Sequence, residues 1–285
     1  MIRLFSPAKI NLFFKIMGLR KDGFHNLHSF FQAINLGDEL SFAHSHEDNF
    51  TSTEPSLKFN HDNFIYRALM LFREKTHLKD PVQIDLIKNI PIEAGLGGGS
   101  SNIATTLWGL NELFDRPVSQ NELFEWSKTL GSDVPFFFST GSAVCSGRGE
   151  EVLPMKMPLE EMPIWVVKPN VSLSTKEVYT YAKKKSSIKE SLETLSELIY
   201  SKSPILKNDL EEAAFLLCPT LALLKDELEY QGFKKVFMSG SGTSYVCMGE
   251  NKPVFKNPVK VFPVKYINRK PNEWYQKEIY EYSNR

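Results

Sequence analysis

A charge imbalance is what this sequence most plainly lacks: 34 Lys and Arg stand against 34 Asp and Glu, a formal net charge of +0. No global field is available to hold nucleic acid or an anionic membrane, so any phosphate site must be built locally. Cysteine is scarce as well. Cys145, Cys218 and Cys247 are odd in number and far apart, which excludes a disulfide framework and the paired spacing of a zinc site, and a reduced, cytoplasmic setting is expected. No apolar run reaches the length of a membrane span, and Arg3 and Lys9 fall where a secretory leader would need an apolar core, so neither membrane contact nor export is expected. Internal repeats and low-complexity tracts are also missing.

What is present is organised around Pro91-Ile92-Glu93-Ala94-Gly95-Leu96-Gly97-Gly98-Gly99-Ser100-Ser101-Asn102, which follows an alternating segment with Val82, Ile84 and Leu86. It reads as strand, glycine loop and helix. Glycines admit positive φ and close approach of a ligand to the backbone, and a helix starting at Ser100 or Ser101 leaves its first amides unpaired. Such amides attract phosphate. Ile103, Leu107, Leu110 and Phe114 give the helix one apolar stripe. No lysine precedes Ser100 as in a P-loop, and the glycines lack dinucleotide-fingerprint spacing. A cation for bound phosphate must therefore come from elsewhere, and the loop alone reads equally well as a tight turn packing a helix on a sheet.

The 285 residues allow two medium domains, divided where Pro154, Pro158 and Pro163 punctuate the chain: 1–153 and 154–285. Strands are expected over 2–5 and 8–17, separated by Pro7, then over 28–34 and 39–43, with 44–60 as loop. On the second of these, Ile10, Leu12, Phe14 and Ile16 alternate with Lys9 and Asn11, which share the opposite face. Asp62 or Asn63 caps a helix to about His77, and Ser119-Gln120-Asn121-Glu122 is a capping box for a helix ending near Gly131. Further boxes start at Ser174 and Ser187, the second opening a helix with Leu192, Leu195 and Ile199 on one face. A helix over 220–231, strands over 164–168, 234–238 and 245–248, and an edge strand over 259–264 make the second half α+β. The turn Ser239-Gly240-Ser241-Gly242-Thr243-Ser244 joins two of those strands, and the tail beyond Glu250 says least.

A glycine loop without its own lysine, a strand lysine at Lys9 and an aspartate at Asp133 are jointly explained by phosphoryl transfer, where catalysis is mostly positioning and electrostatics. Asp133 cannot deprotonate an alcohol beforehand. An aspartate at about 3.9 lies about 12 units below a water-like hydroxyl, a cost of roughly 16 kcal/mol. It is expected to orient the acceptor and take the proton late. Taken singly, Lys9 reads as a solvated strand lysine, Asp133 as a turn residue and His25 as structural. Phe136, Phe137 and Phe138 read as core, and Cys145 and Cys247 as small buried hydrophobes.

Ser6-Pro7-Ala8-Lys9-Ile10-Asn11-Leu12, Asp22-Gly23-Phe24-His25, Gly95 to Asn102, Gly131-Ser132-Asp133-Val134-Pro135-Phe136 and Ser239-Gly240-Ser241-Gly242, in that order through most of the chain, resemble the GHMP family of small-molecule kinases. The resemblance implies a two-domain α+β fold with the site between the halves. It also implies ATP with magnesium, and phosphorylation of the 2-hydroxyl of a cytidine diphosphate-linked methylerythritol in non-mevalonate isoprenoid synthesis. Lys9 and Asp133 match the family's catalytic pair. Asn63 and Lys88 match the neighbourhood of the adenine; Pro91, Gly95, Leu96, Gly97, Gly98, Gly99, Ser100 and Ser101 match the phosphate loop, with Ser100 or Ser101 near magnesium. Asn11, Phe24, His25, Thr175, Tyr179, Gly240 and Gly242 match the acceptor side. Phe24 stands where a tyrosine is usual, which keeps a stacking face and loses a phenolic hydrogen bond. Glu93-Ala94 replaces a more glycine-rich approach to the loop. Small-molecule substrates alone are expected as partners, in a monomer or weak homodimer. The rivals are a kinase of the same fold acting on mevalonate, homoserine or a sugar, and a GHMP-like sensor without turnover.

Overall fold

The computed structural model describes residues 1–157, 162–182, 206–255 and 258–276. The expected capping box at Ser187 and its helix lie outside the described residues.

Two long strands, β1 (Ile2–Leu19) and β2 (His25–His44), pair antiparallel along nearly their whole length. Pro7 does not divide β1 as expected. It sits opposite Gly37 at a register shift, where a bulge tolerates a residue without an amide hydrogen. The other edge of β2 is shared by β4 (Val82–Ile87) and β5 (Ser142–Ser146), with β3 (Asn49–Ser52) beyond β4 and β6 (Glu151–Pro154) beyond β5. β3 corrects the expectation of loop throughout 44–60. It lies parallel to β4 at the edge of the sheet and is too short and polar to be read from pattern alone.

Three helices cover this sheet. α1 (Phe64–Thr76) is capped by Asn63, whose side chain accepts from the amides of Ile65 and Tyr66. α2 (Gly98–Leu113) starts two residues before the expected serines, with Gly97 as its N-cap, and is buried from Ser101 to Asn111. α3 (Gln120–Leu130) begins with the complete capping box of Ser119 and Glu122. A short 3₁₀ turn, Pro135–Phe138, follows and carries Phe136 and Phe137 into the core, with Phe138 at its margin. Each fully buried apolar side chain here contributes about 1.5–3 kcal/mol.

A second sheet has the order β10-β7-β9-β8, from β7 (Ile164–Pro169), β8 (Lys235–Met238), β9 (Tyr245–Met248) and β10 (Val259–Val264). It is antiparallel throughout. α4 (Thr175–Ala182), α5 (Glu211–Leu217) and α6 (Pro219–Tyr230) pack with it. The cores of the two halves are not separate. Ile10 and Leu12 of β1 pack with Ile164, Val166 and Val246, and the tail returns to place Ile267, Trp274 and Tyr275 in the core of the first sheet. No helix among the described residues is long and apolar enough to cross a membrane.

Candidate active site

The middle of β1, the glycine loop, the segment after α3 and the β8–β9 turn converge. The strand period puts Lys9 and Asn11 on one face, and the Lys9 ammonium donates to Asn11 Oδ1 at 2.5 Å. It also lies 3.4 Å from Asp133 Oδ2 and 4.4 Å from the centre of the Phe31 ring. The lysine side chain is 4% exposed and the aspartate 32%, so the cation is fixed by the fold while the carboxylate faces the opening. The charge of Asp133 reaches two neighbours. The Tyr179 phenol is pushed up by burial and then by Asp133; the Cys145 thiol is pushed up by burial and Asp133, against Lys9. Asn11 is placed differently from the expectation that it faces the acceptor. It is 1% exposed, its amide group donates to Ser29, and it stands beneath Lys9 as a support.

A cavity of about 1100 Å³ opens above the pair, more than a single small-molecule site needs, so there is room for a donor and an acceptor together. Along one end runs the glycine loop. Gly95 and Gly97 have φ +74 and +67, and a Cβ on Gly95 would meet the Ser239 carbonyl oxygen at 2.2 Å. That crowding comes from a seam: the Lys9 amide donates to Leu96 O, the Ser239 hydroxyl to Gly95 O, and the Ser244 amide to Ala94 O. Gly98, Gly99 and Ser100 form the first turn of α2, whose amides have no intrahelical acceptor and carry the positive end of the helix dipole. Pro91, Leu96 and Ser100 line the cavity. Ser101 does not: its hydroxyl is paired with Ser6 at 2.8 Å, its amide donates to Gly97 O, and it is wholly buried. The expectation that Ser101 faces phosphate or magnesium is therefore corrected, and Ser100 is the serine at the site.

Asn63 and Lys88 line the same end. Asn63 spends its carbonyl oxygen on the α1 cap, leaving a buried Nδ2 without a partner among the described residues. The Lys88 ammonium donates to Asp38 Oδ2 and Ile90 O, both at 2.7 Å; burial lowers its pKa, and the charge of Asp38 opposes that shift. It lies 3.2 Å from where a Cβ on Gly98 would be, beside the loop that has no lysine of its own.

At the other end His25 is buried, with its ring 5.5 Å from that of Tyr179. Thr175 pairs its hydroxyl with Ser241 at 2.9 Å, and Gly240 and Gly242 form the adjoining wall. Phe24 is 53% exposed at the mouth, with the Arg148 guanidinium 5.2 Å from its ring centre. Sequence reasoning missed Arg148, Asp38 and Ser239 as parts of the site. Arg148 had a signal, an arginine between two glycines in Gly147-Arg148-Gly149-Glu150. Asp38 had none: it falls beside Gly37 in the break between the expected strands 28–34 and 39–43, where an aspartate reads as a turn residue.

Comparison with known proteins gives the family. The chain matches the family descriptions "GHMP kinases N terminal domain" over residues 63–141 and "GHMP kinases C terminal" over residues 184–256. It is 45% identical to 4-diphosphocytidyl-2-C-methyl-D-erythritol kinase of Protochlamydia amoebophila, over 96% of this chain and 93% of that protein. With the chloroplastic enzyme of that name from Arabidopsis thaliana the identity is 41%, over 96% and 76%. A crystal structure of 4-(cytidine 5'-diphospho)-2C-methyl-D-erythritol kinase superposes with a TM-score of 0.73 at 33% identity, covering 87% of this chain and 90% of that one. A homoserine kinase from Cytophaga hutchinsonii has a TM-score of 0.72 at 16% identity, covering 95% and 96%, which shows a shared fold alone. The chain belongs to the GHMP kinases and, within them, to the 4-diphosphocytidyl-2-C-methyl-D-erythritol kinase family.

Proposed function

We propose that this chain transfers the γ-phosphoryl group of ATP to the 2-hydroxyl of 4-diphosphocytidyl-2-C-methyl-D-erythritol, giving ADP and the 2-phosphate, a step of non-mevalonate isoprenoid precursor synthesis. The observation that carries the reading is the Lys9–Asp133 pair, 3.4 Å apart, between a glycine-loop end and an aromatic end of one cavity. The loop amides and Lys88 hold the donor, and Asn63 Nδ2 supplies a hydrogen-bond donor to the adenine. His25, Tyr179 and Phe24 take the cytosine, with Thr175, Gly240 and Gly242 around the rest of the acceptor.

Lys9 offsets charge on the transferring group, while Asp133 orients the hydroxyl and accepts its proton once the oxygen has become acidic. Among the described residues no group of three or more His, Cys, Asp and Glu could hold a metal ion. Magnesium carried on ATP phosphates needs few protein ligands, and we assign to it Ser100, which lines the cavity at the start of α2. When bound, the ion neutralises phosphate charge. We divide the chain at 153/154 and place the protein in the cytoplasm, as a monomer or weak homodimer.

The test is ADP release from ATP and magnesium with 4-diphosphocytidyl-2-C-methyl-D-erythritol, run beside mevalonate, homoserine and galactose. Turnover with the cytidine compound alone is expected. Turnover with another alcohol instead would keep the fold and the pair but remove the cytidine pocket; ATP binding without turnover on any would favour a sensor.

A further inference from the structure

Beneath the donor end of the cavity lies a carboxylate with no exposure at all. Asp38, on β2, is 0% exposed and accepts four hydrogen bonds. Oδ1 takes the amides of Asn89 at 2.7 Å and Ile90 at 2.8 Å; Oδ2 takes the Lys88 ammonium at 2.7 Å and Asn102 Nδ2 at 2.9 Å. Four donors fill the acceptor capacity of a carboxylate, so Asp38 has nothing left for a ligand. Its partners are the approach to the glycine loop and the second turn of α2. Asn102 carries the link onward to the Ser6 hydroxyl at 3.0 Å, and Ser6 pairs with Ser101. A lysine ammonium has three N–H groups. Asp38 and Ile90 O occupy two on Lys88, and the side chain reaches the cavity wall beside Gly98.

We infer that Asp38 is a positioning residue for the nucleotide: by filling two of the approach amides and clamping Lys88, it holds the ammonium at the start of α2 with one N–H left for ATP. This rests on the reading of Lys88 and the glycine loop as the ATP end. Isolated hydrogen bonds to charged groups are strong, and inside the fold an unpaired charge is costly, so loss of the carboxylate releases Lys88 rather than leaving it in place.

The experiment is steady-state kinetics of Asp38→Asn, Lys88→Met and the double variant, with KM measured separately for ATP and for the cytidine acceptor at a temperature well below each Tm. Each single variant is expected to raise KM for ATP about tenfold and leave that for the acceptor within about twofold. The double variant is expected to be no worse than Lys88→Met, because Asp38 acts through Lys88. A lowered Tm with an unchanged KM for ATP, equal effects on both substrates, or additive losses in the double variant would each overturn the proposal. Should Asp38→Asn fail to fold, Asn102→Ala takes its place, removing one donor and the link to Ser6; there a rise of about threefold in KM for ATP alone is expected, and equal rises for both substrates would overturn it. Absence of ATP turnover in the wild-type chain would sink the kinase reading itself, an outcome distinct from wild-type turnover with an indifferent Asp38 variant.

Discussion

The two ends of the cavity are built in opposite ways. At the donor end, loop backbone and buried polar groups are bonded to one another: Leu96, Gly95 and Ala94 carbonyls accept from Lys9, Ser239 and Ser244, and Asp38 ties Lys88, Asn89, Ile90 and Asn102. At the end proposed for the acceptor, rings and a guanidinium meet, Arg148 is paired with Glu150 at 3.1 Å, and the Phe24 turn is held by local contacts such as the Phe24 amide on Asp22. On the proposed function, the donor end works through backbone geometry. The acceptor end needs side-chain identity. The homoserine kinase overlays at a TM-score of 0.72 with 16% identity, a likeness of fold alone, whereas the relatives at 45% and 41% bear the cytidine-substrate name.

The pair between the ends gives the largest expected effect. Asp133→Ala should lower kcat about a thousandfold, since it removes both the orientation of the acceptor and the late proton acceptor. ATP should still protect the variant against thermal unfolding, because the donor end does not use Asp133. Turnover within about tenfold of wild type would refute its role.

Gly95→Ala attacks the glycine loop where it meets the β8–β9 turn. A Cβ there meets the carbonyl oxygens of Ser239 at 2.2 Å and Gly242 at 2.9 Å, both backbone, and φ is +74. The strain should cost about 1–3 kcal/mol in a urea titration. KM for ATP should rise about tenfold, and the acceptor KM should rise by a smaller factor because Gly242 belongs to the wall assigned to the acceptor. An unchanged urea midpoint would mean that the seam between the glycine loop and the β8–β9 turn is open in solution.

Legibility in the sequence followed the same division. Caps and glycine runs act over a few residues, so Asn63, Ser119 and the loop could be found from the chain alone. The Ser101 assignment failed on a local detail: the helix starts at Gly98, and consecutive helical residues point about 100° apart, so only Ser100 meets the cavity. Asp38 was illegible for a different reason. Its partners come from β4's exit and from α2, and only the folded register brings them together. The tail gave no pattern because Trp274 and Tyr275 are buried by strands and helices from the other end of the chain, with the Arg269 guanidinium stacked 5.6 and 5.7 Å from their rings.

The smallest effect is expected at the mouth of the acceptor end. Arg148→Met removes a cation from the face of Phe24 and keeps much of the side-chain volume. A cation–ring contact at an exposed site contributes about 0.5–1 kcal/mol, so KM for the cytidine substrate should rise about threefold with KM for ATP unchanged. If the guanidinium works by steadying the ring, Phe24→Leu combined with Arg148→Met should cost no more than Phe24→Leu alone. If it works instead as a charge on the acceptor's diphosphate, beside its pairing with Glu150 at 3.1 Å, the two losses should add and the wild-type acceptor KM should climb with ionic strength, as screening of a partly exposed cation requires. The first result would make the acceptor end a stacking surface with a held ring at its mouth; the second would make it an electrostatic site, closer in kind to the donor end than its rings suggest.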